Sequence, residues 1–402
     1  MPKQSRTPHQ SQENEQTQSA PRDPTFDIVK GIGILEVIIH HVTSHSARKF
    51  TVAGDFEWWF LTITNRIFHF AVPLFLLASA LLLARSVARK PKPDWKRFML
   101  RRGERTVWPY LIWTVVYWLF RIRFVKMGSD IYPTPVTLPW GAEAVIYGLF
   151  AHPALMLKDV LWGKAYYHLY FMAVLIQFSL IFPLLYYALR KAKIGFGTVL
   201  ALAFGLQVGV YYAQYHWWRV ESPGSVILWY LPPVLTGMWL GLNWSDWPKV
   251  WRKWRGWVTT AAVLAGTAYM VMSVRIILQA PVNTRFYSIT VQVFTLGIAL
   301  LFLHWSGLMA RGSAVGRWLA KIGDKSLPLF LMHPAVMYLI SGPRITAFIS
   351  RFHLESVVTL ILTLVVTWGL TWLISVAHLA ELLFGRRFNP RSFRFGSSRS
   401  NA

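Results

Sequence analysis

Cysteine is absent from this 402-residue chain, and acidic residues are scarce. The lack of cysteine excludes disulfide bonds, a thiol nucleophile and thiolate metal ligands, so any chemistry must use histidine, carboxylate, hydroxyl or cationic side chains. The chain holds 17 Asp and Glu against 42 Lys and Arg, which gives a net charge of +25. Such an excess would indicate nucleic-acid binding if it were gathered in one soluble domain. Here it is spread over short loops between apolar runs, so we predict no nucleic-acid partner.

Long apolar runs make up most of the chain, which is 54% hydrophobic with a mean hydropathy of +0.37. Runs of this length can cross a bilayer as α-helices. We therefore predict an all-α, polytopic membrane protein with about ten transmembrane helices. Their predicted bounds are 26–45, 58–84, 106–124, 167–189, 196–215, 225–243, 257–274, 286–305, 326–343 and 356–384.

The composition divides the chain into three regions. Residues 1–25 are too polar to bury a core, and we predict a disordered cytoplasmic leader. Residues 26–385 form a single membrane domain, and residues 386–402 form a basic cytoplasmic tail. The apolar piece at 142–151 is too short to span a bilayer, and we predict that it is re-entrant or interfacial.

The distribution of basic residues predicts the orientation. If the N-terminus is cytoplasmic, the inner segments hold 28 Lys and Arg and the outer segments hold 13. Inner loops of membrane proteins carry the excess of basic residues. We therefore expect both termini in the cytoplasm and a multi-pass protein of the cell membrane.

The first apolar run carries a lysine and a histidine at a notable spacing. His41 follows Lys30 by eleven residues, which on a helix is about three turns and about 16 Å, so both side chains lie on nearly the same face. Ionisable groups cost free energy in a bilayer and tend to be kept for function. His41 can exchange a proton near neutral pH and act as a general base. The alternative is a histidine that only bonds a neighbouring helix.

Other ionisable residues of this run have two interpretations as well. Asp27 and Lys30 lie near the inner membrane edge, where a lysine can simply extend its ammonium group to the headgroups. His40 projects away from His41 and shares a face with Glu36, at i,i+4, so the carboxylate could orient its ring. Two adjacent histidines on one helix cannot converge on a single ion, and we predict no metal site.

Three arginines, Arg101, Arg102 and Arg105, open the third predicted span. Guanidinium groups bind phosphates through paired hydrogen bonds, so these residues could hold an anionic substrate. Membrane topology alone also supplies basic residues at a cytoplasmic edge.

Two more histidines lie in or beside apolar runs. His168 opens the fourth predicted span, where it could line an outward vestibule or rest at the interface. His333 is followed by Pro334, which frees backbone groups that need other partners and suits a lined cavity. The alternative for His333 is helix packing around a proline kink.

In order and spacing, these segments resemble the acyltransferase-3 family of integral-membrane O-acyltransferases over residues 26–385. The similar motifs are Asp27, Lys30-Gly31 and His41; Phe75 to Leu82 with Ser79-Ala80; Phe98 to Pro109 with Arg101-Arg102; His168 to Phe171; and Ser326 to His333. The chain departs from the family at Lys30, which is usually arginine, and at Ala80, which is usually glycine. The Leu-Pro-Leu-Phe sequence after Ser326 also lacks the usual tyrosines.

The resemblance implies a reaction and a site. A cytoplasmic acyl-CoA, expected to be acetyl-CoA, would donate its acyl group to a hydroxyl of a cell-envelope glycan or lipid-linked sugar. Membrane lipid is the other expected partner, and no metal is needed. The implied catalytic residues are His41, Lys30 and Asp27, and the implied donor-binding residues are Arg101, Arg102 and Arg105. We expect a substrate cavity that includes Ser79, His168, His333, Glu36 and His40.

Two other functions fit parts of the pattern. A transporter or flippase for a polysaccharide or lipid-linked sugar would also have many spans and intramembrane histidines, but it would not consume acyl-CoA. A non-catalytic scaffold of the cell envelope would tolerate the loss of His41.

Overall fold

The computed structural model describes residues 23–125, 153–342 and 354–393, together with 345, 346 and 348. Over these residues the chain is helical and has no strand, which confirms the predicted all-α class. The leader up to residue 22, the apolar piece at 142–151 and the tail beyond residue 393 lie outside the described residues.

The α-helices are labelled here in chain order. They are α1 (Thr25–Lys49), α2 (Phe56–Ile67), α3 (Ala71–Ala88), α4 (Trp95–Arg102), α5 (Trp108–Phe120), α6 (Pro153–Trp162), α7 (Tyr170–Ala192), α8 (Phe196–Ala213), α9 (Leu231–Leu242), α10 (Trp247–Ile277), α11 (Thr284–Met309), α12 (Ala314–Asp324), α13 (Ser326–Ile340), α14 (Glu355–Val376) and α15 (Ala380–Phe384).

Within the described residues, six helical segments are long and apolar enough to cross a membrane, when α2 and α3 are counted together. The other five are the segments around α7, α8, α10, α11 and α14. The predicted number of about ten transmembrane helices is therefore not confirmed. The segments at Ile227–Leu242 and Ser326–Ile340 are apolar but shorter.

Several predicted spans differ in their bounds from the helices, for example 257–274, which lies within the longer α10, and two of them are interrupted. The span predicted at 58–84 is broken at residues 68–70. Pro73 lies in the first turn of α3, where its missing N–H is tolerated. In the span predicted at 356–384, α14 ends at Val376 and α15 begins at Ala380, after His378, which has a φ of 60°.

Helix α1 lies against α12 at very short range. A Cβ on Gly31 would be 2.1 Å from the carbonyl oxygen of Leu319, and a Cβ on Gly323 would be 1.7 Å from that of Asp27. No other residue could occupy either position without moving the backbone. Gly31 therefore allows α1 to pack directly against the backbone of α12.

Helix α3 connects two cavities at opposite ends of the bundle. Val72, in its first turn, lines one cavity, which we call the histidine cavity, and Ser86, in its last turns, lines the other, which we call the basic cavity. At 1.5 Å per residue the two positions are about 21 Å apart. The N-terminal end of α1 lies at the basic end, because Asp23 pairs with Arg85 of α3 at 3.3 Å.

Candidate active site

The histidine cavity has a volume of about 300 Å³. Four histidines from three parts of the chain line it: His40 and His41 of α1, His69 of the break between α2 and α3, and His168, which precedes α7. The opposite wall is formed by α8, residues 224–230 and α11. The cavity thus joins residues that are distant in sequence.

His41 lies at the centre of this cluster. Its ring is stacked on that of His333, with centroids 5.4 Å apart and planes inclined by 23°. The ring of Tyr167 also contacts the His41 ring, with centroids 4.8 Å apart. His168 in turn meets His333 edge-on at 5.7 Å. The structure therefore brings together three histidines that were predicted as site residues from separate motifs.

The ring of His333 is held by the backbone of its own helix. Its Nδ1 lies 2.8 Å from the carbonyl oxygen of Phe330 and 3.1 Å from that of Leu329. Carbonyl oxygens only accept hydrogen bonds, so Nδ1 carries the proton. The Phe330 carbonyl is free because Pro334, which would be its helical partner, has no N–H. The expected consequence of this proline is thus visible as a hydrogen bond to the candidate site residue.

Several buried nitrogen atoms of the cluster lack partners. Both ring nitrogens of His168 and Nε2 of His333 have no hydrogen-bond partner among the described residues. His168 is only 2% exposed, and His333 is fully buried. Unpaired buried polar atoms are rare and point to a catalytic role, a ligand or water.

His40 is fixed by a contact between α1 and α2. Its Nδ1 donates to the backbone oxygen of Asn65 at 3.0 Å, and the Asn65 amide donates to the His40 backbone oxygen at 2.7 Å. With Nδ1 protonated, Nε2 of the neutral ring is an acceptor. This arrangement fixes the orientation of His40 beside His69, whose ring centroid is 5.2 Å away.

Glu36 has a different partner from the one expected. Its Oε1 accepts a hydrogen bond from the backbone N–H of Phe70 at 3.1 Å, at the N-terminus of α3, where no side chain of α3 itself provides a cap. A buried helix N-terminus needs an acceptor, and a carboxylate is favoured there. The predicted pairing with His40 was wrong in this respect, since His40 bonds Asn65.

Of the predicted catalytic and cavity residues, Asp27, Lys30, Ser79 and His333 are not among those that line the histidine cavity, although the ring of His333 is stacked on that of His41. Asp27 and Lys30 form an ion pair of 2.6 Å at the basic end of α1. Ser79 is half-buried near the middle of α3, and neither it nor the ion pair is among the residues that line the cavity. Because α1 is continuous from Thr25 to Lys49, Lys30 remains about 16 Å from His41 along the helix.

The predicted donor-binding arginines line the basic cavity, which has a volume of about 140 Å³. Arg101, Arg102 and Arg105 share it with Lys90 and Arg97. Arg102 donates from Nε to the Ser179 hydroxyl at 3.1 Å. Burial, and then the charge of Arg105, lower the pKa of Arg102 to about 10, so it remains a cation at neutral pH.

Sequence reasoning missed His69, Asn65 and the role of Tyr167. His69 lies between two phenylalanines, so hydropathy predicts an unbroken span across the point where the helix actually stops. Pro73 was the available signal, because proline favours the first turn of a helix and so predicts a new start near residue 71.

Within the part of the chain that the structure describes, no group of three or more histidines, aspartates and glutamates is arranged to hold a metal ion. The histidines instead face one another through ring contacts and bond carbonyl oxygens. The arrangement is suited to moving protons.

A family model described as an acyltransferase domain matches residues 23–375. This region contains every residue that lines the histidine cavity and the basic cavity. No curated protein and no solved structure matches the chain.

Proposed function

The chain belongs to the acyltransferase-3 family, as the motifs predicted, and on that premise we propose the reaction of this membrane acyltransferase. It transfers an acyl group, acetyl in the first instance, from acyl-CoA to a hydroxyl of a cell-envelope glycan or lipid-linked sugar, at the cell membrane. The observation that carries the proposal is that His41, which lines the histidine cavity, is in ring contact with His333 and Tyr167.

In the proposed reaction His41 acts on the acceptor hydroxyl. The imidazole takes the hydroxyl proton while the oxygen bonds to the thioester carbonyl carbon. The carbon–sulfur bond then breaks, and the CoA thiolate takes the proton back from the imidazolium. In a second version the acyl group is first carried on His41 and then passes to the acceptor oxygen. Both versions need an unprotonated nitrogen at His41.

His168 and His333 complete the proton-handling part of the site. The hydrogen bonds from Nδ1 of His333 to backbone carbonyls leave its Nε2 as the acceptor nitrogen of the neutral ring. A neutral ring beside His41 avoids the repulsion that two adjacent imidazolium ions would produce. The stacked ring also limits the rotation of His41, which favours a productive orientation.

The basic cavity is the proposed site for the CoA phosphates. Five basic side chains line it, with Asp94 as the one acidic lining residue, so it attracts an anion. The charge asymmetry of the loops favours the cytoplasmic side for this end, where acyl-CoA is found. The thioester arm then has to travel about 21 Å along α3, past the buried side chains of Leu76, Ala80 and Ala84.

Label transfer tests the proposal directly. The purified protein is reconstituted in liposomes with native envelope glycans, and radiolabelled acetyl-CoA is supplied to the face that carries the basic cavity. The wild type is compared with His41→Ala and with His304→Ala, a histidine stacked on Trp251 at 4.6 Å outside the histidine cavity.

We expect label in the glycan or the protein with the wild type and His304→Ala, and a loss of about 100-fold or more with His41→Ala. If no acyl-CoA, including longer ones, is consumed above background by the wild type, the proposal is wrong and transport becomes the function to test.

A further inference from the structure

The part of the histidine cavity wall that is formed by α8, residues 229–230 and α11 is aromatic and carries one amide. Tyr211 of α8, Trp229 and Tyr230 before α9, and Tyr287 and Gln292 of α11 form it. The rings of Tyr211 and Trp229 are in contact, with centroids 4.5 Å apart. Flat apolar rings with a few fixed polar atoms are typical of a small-molecule binding surface.

The amide of Gln292 is oriented by its neighbours. Its Nε2 donates to the Trp229 backbone oxygen at 2.7 Å and to the Tyr211 hydroxyl at 3.2 Å. A backbone carbonyl only accepts, so the amino group must face Trp229, and Oε1 must point the other way. Gln292 is 5% exposed, and Oε1 has no hydrogen-bond partner among the described residues. Oε1 of Gln292 is therefore an acceptor of fixed orientation whose hydrogen-bonding capacity is unused.

A second oxygen of the same kind belongs to Glu36. This residue is 3% exposed, and while Oε1 caps α3, Oε2 has no partner within the described part of the chain. A carboxyl oxygen can bond a hydroxyl in either protonation state. Both residues line the histidine cavity, so a ligand with several hydroxyl groups would satisfy both oxygens.

The charge of the cavity selects against an anionic ligand. Neither lysine nor arginine is found among its described lining residues, whereas Glu36 is. A carboxylate or phosphate buried there would lack a cationic partner, which is costly. Arg66 lies within electrostatic reach of His40 and His69, but it does not line the cavity.

We propose that this wall is the acceptor subsite of the enzyme and that it takes a neutral sugar ring. The ring packs its C–H face against Trp229 and Tyr211, and one of its hydroxyls donates to Oε1 of Gln292. A neighbouring hydroxyl is then presented to His41. Gln292 is thus a specificity-determining residue. The inference rests on the proposed function, because it assigns the acceptor of that same site.

Kinetics of acyl transfer test the role of Gln292. Gln292→Leu removes the acceptor oxygen at similar volume, and we expect the KM for a neutral acceptor to rise about tenfold while kcat and the KM for acyl-CoA change little. Gln207→Leu is the matched control. Gln207 of α8 is 1% exposed and bonds the Leu231 N–H through Oε1, but it is not a lining residue of the cavity.

Binding can be measured without any acyl transfer, which separates this inference from the proposed reaction. The probes are p-nitrophenyl β-glucoside and p-nitrophenyl β-glucuronide, which differ only in the carboxylate, and saturation-transfer NMR on the protein in nanodiscs reports binding. We expect the glucoside to bind at least about tenfold more tightly, and Gln292→Leu to remove most of this binding.

Three results would overturn the inference: equal or tighter binding of the glucuronide, no binding of the glucoside, or the same loss in Gln207→Leu as in Gln292→Leu. If the glucuronide binds more tightly and Arg66→Gln abolishes its binding, the acceptor is anionic and Arg66 holds it. An absence of acyl transfer in the wild type would contradict the proposed function. The sugar-binding site would then be judged by the binding measurements alone.

Discussion

His333 and Phe330 are joined by a hydrogen bond of 2.8 Å from the imidazole Nδ1 to the backbone carbonyl oxygen, and Pro334 leaves that carbonyl available. In a regular helix the N–H at position 334 would bond the carbonyl at position 330. The proline removes this donor, and the preceding histidine replaces it. A sequence of His followed by Pro thereby holds a ring in one orientation against His41.

This relationship predicts a partial rescue. His333→Ala leaves the Phe330 carbonyl without its donor, so we expect the free energy of unfolding to fall by about 1 kcal/mol and kcat to fall as well. Adding Pro334→Ala to His333→Ala restores a backbone N–H for that carbonyl. The double variant should therefore regain stability but stay inactive, as measured by thermal unfolding and label transfer.

The single variant Pro334→Ala completes the cycle, because it reports the effect of the proline alone. Should the double variant be no more stable than His333→Ala, the hydrogen bond of His333 would not be the reason for its stabilising effect.

Glu36 gives a second prediction, because it caps α3 from another helix. Glu36→Leu removes the acceptor of the Phe70 N–H, and we expect a loss of about 1–2 kcal/mol together with faster hydrogen exchange in residues 68–72. Glu36→Gln keeps an acceptor oxygen and should lose less. Glu57→Leu, an exposed acid in the first turn of α2, is the control and should leave the exchange of 68–72 unchanged. Equal exchange in Glu36→Leu and Glu57→Leu would show that the cap is dispensable.

The local sequence pattern was sufficient to predict that Lys30 and His41 lie on nearly the same face of α1. The helix runs unbroken from Thr25 to Lys49, so helical geometry alone relates Lys30 to His41. Family motifs added His333, which the fold stacks on His41, and His168, whose ring contacts that of His333. Gly31 was also part of a motif, but its reason, the close approach of α12, appears only in three dimensions.

The break before α3 could not be predicted from hydropathy, because Phe68 and Phe70 are as apolar as the helices beside them. Glu36, 34 residues earlier in the chain, accepts a hydrogen bond from the N-terminus of α3. Within the segment only Pro73 indicates the new start, because a contact at that separation leaves no local signal. The same holds for Asn65, whose bonds to His40 depend on how α2 lies against α1. Ser79 was predicted for the cavity from a motif, and helix α3 places it elsewhere.

A pH prediction concerns Asp324, at the junction of α12 and α13. Burial would raise its pKa, but the hydrogen bond from Lys325 and the charge of Arg386, at 2.5 Å, outweigh burial and hold the pKa well below its usual range. A carboxyl whose pKa is depressed on folding stabilises the fold fully above its unfolded pKa of about 4, and this contribution is lost as the pH falls toward the folded value.

We therefore expect Asp324→Asn to lower the free energy of unfolding by about 2 kcal/mol at neutral pH, because Lys325, which is 1% exposed, loses its ion pair with Asp324. The difference from the wild type should shrink below about pH 4. Thermal unfolding across this pH range measures it, with the exposed Asp246→Asn as the control. A difference that stays constant down to the acid limit would show that ionisation of Asp324 is not its source.

The last prediction separates the two ends of the molecule. Arg101 and Arg102 line the basic cavity, about 21 Å along α3 from the residues beside His41. Arg101→Gln and Arg102→Gln should each raise the KM for acyl-CoA by about tenfold or more, because a charge-assisted bond to phosphate is lost, and should leave kcat nearly unchanged. His41→Ala should instead lower kcat and leave the KM for acyl-CoA nearly unchanged. Arg89→Gln, an exposed cation at the C-terminal end of α3 that does not line the cavity, should change neither constant. Higher salt should weaken donor binding by the wild type more than by Arg101→Gln, since screening acts on charges that are still present. If the arginine variants lower kcat and leave the KM for acyl-CoA unchanged, the phosphates bind elsewhere, and the basic cavity serves only the orientation of the helices in the membrane.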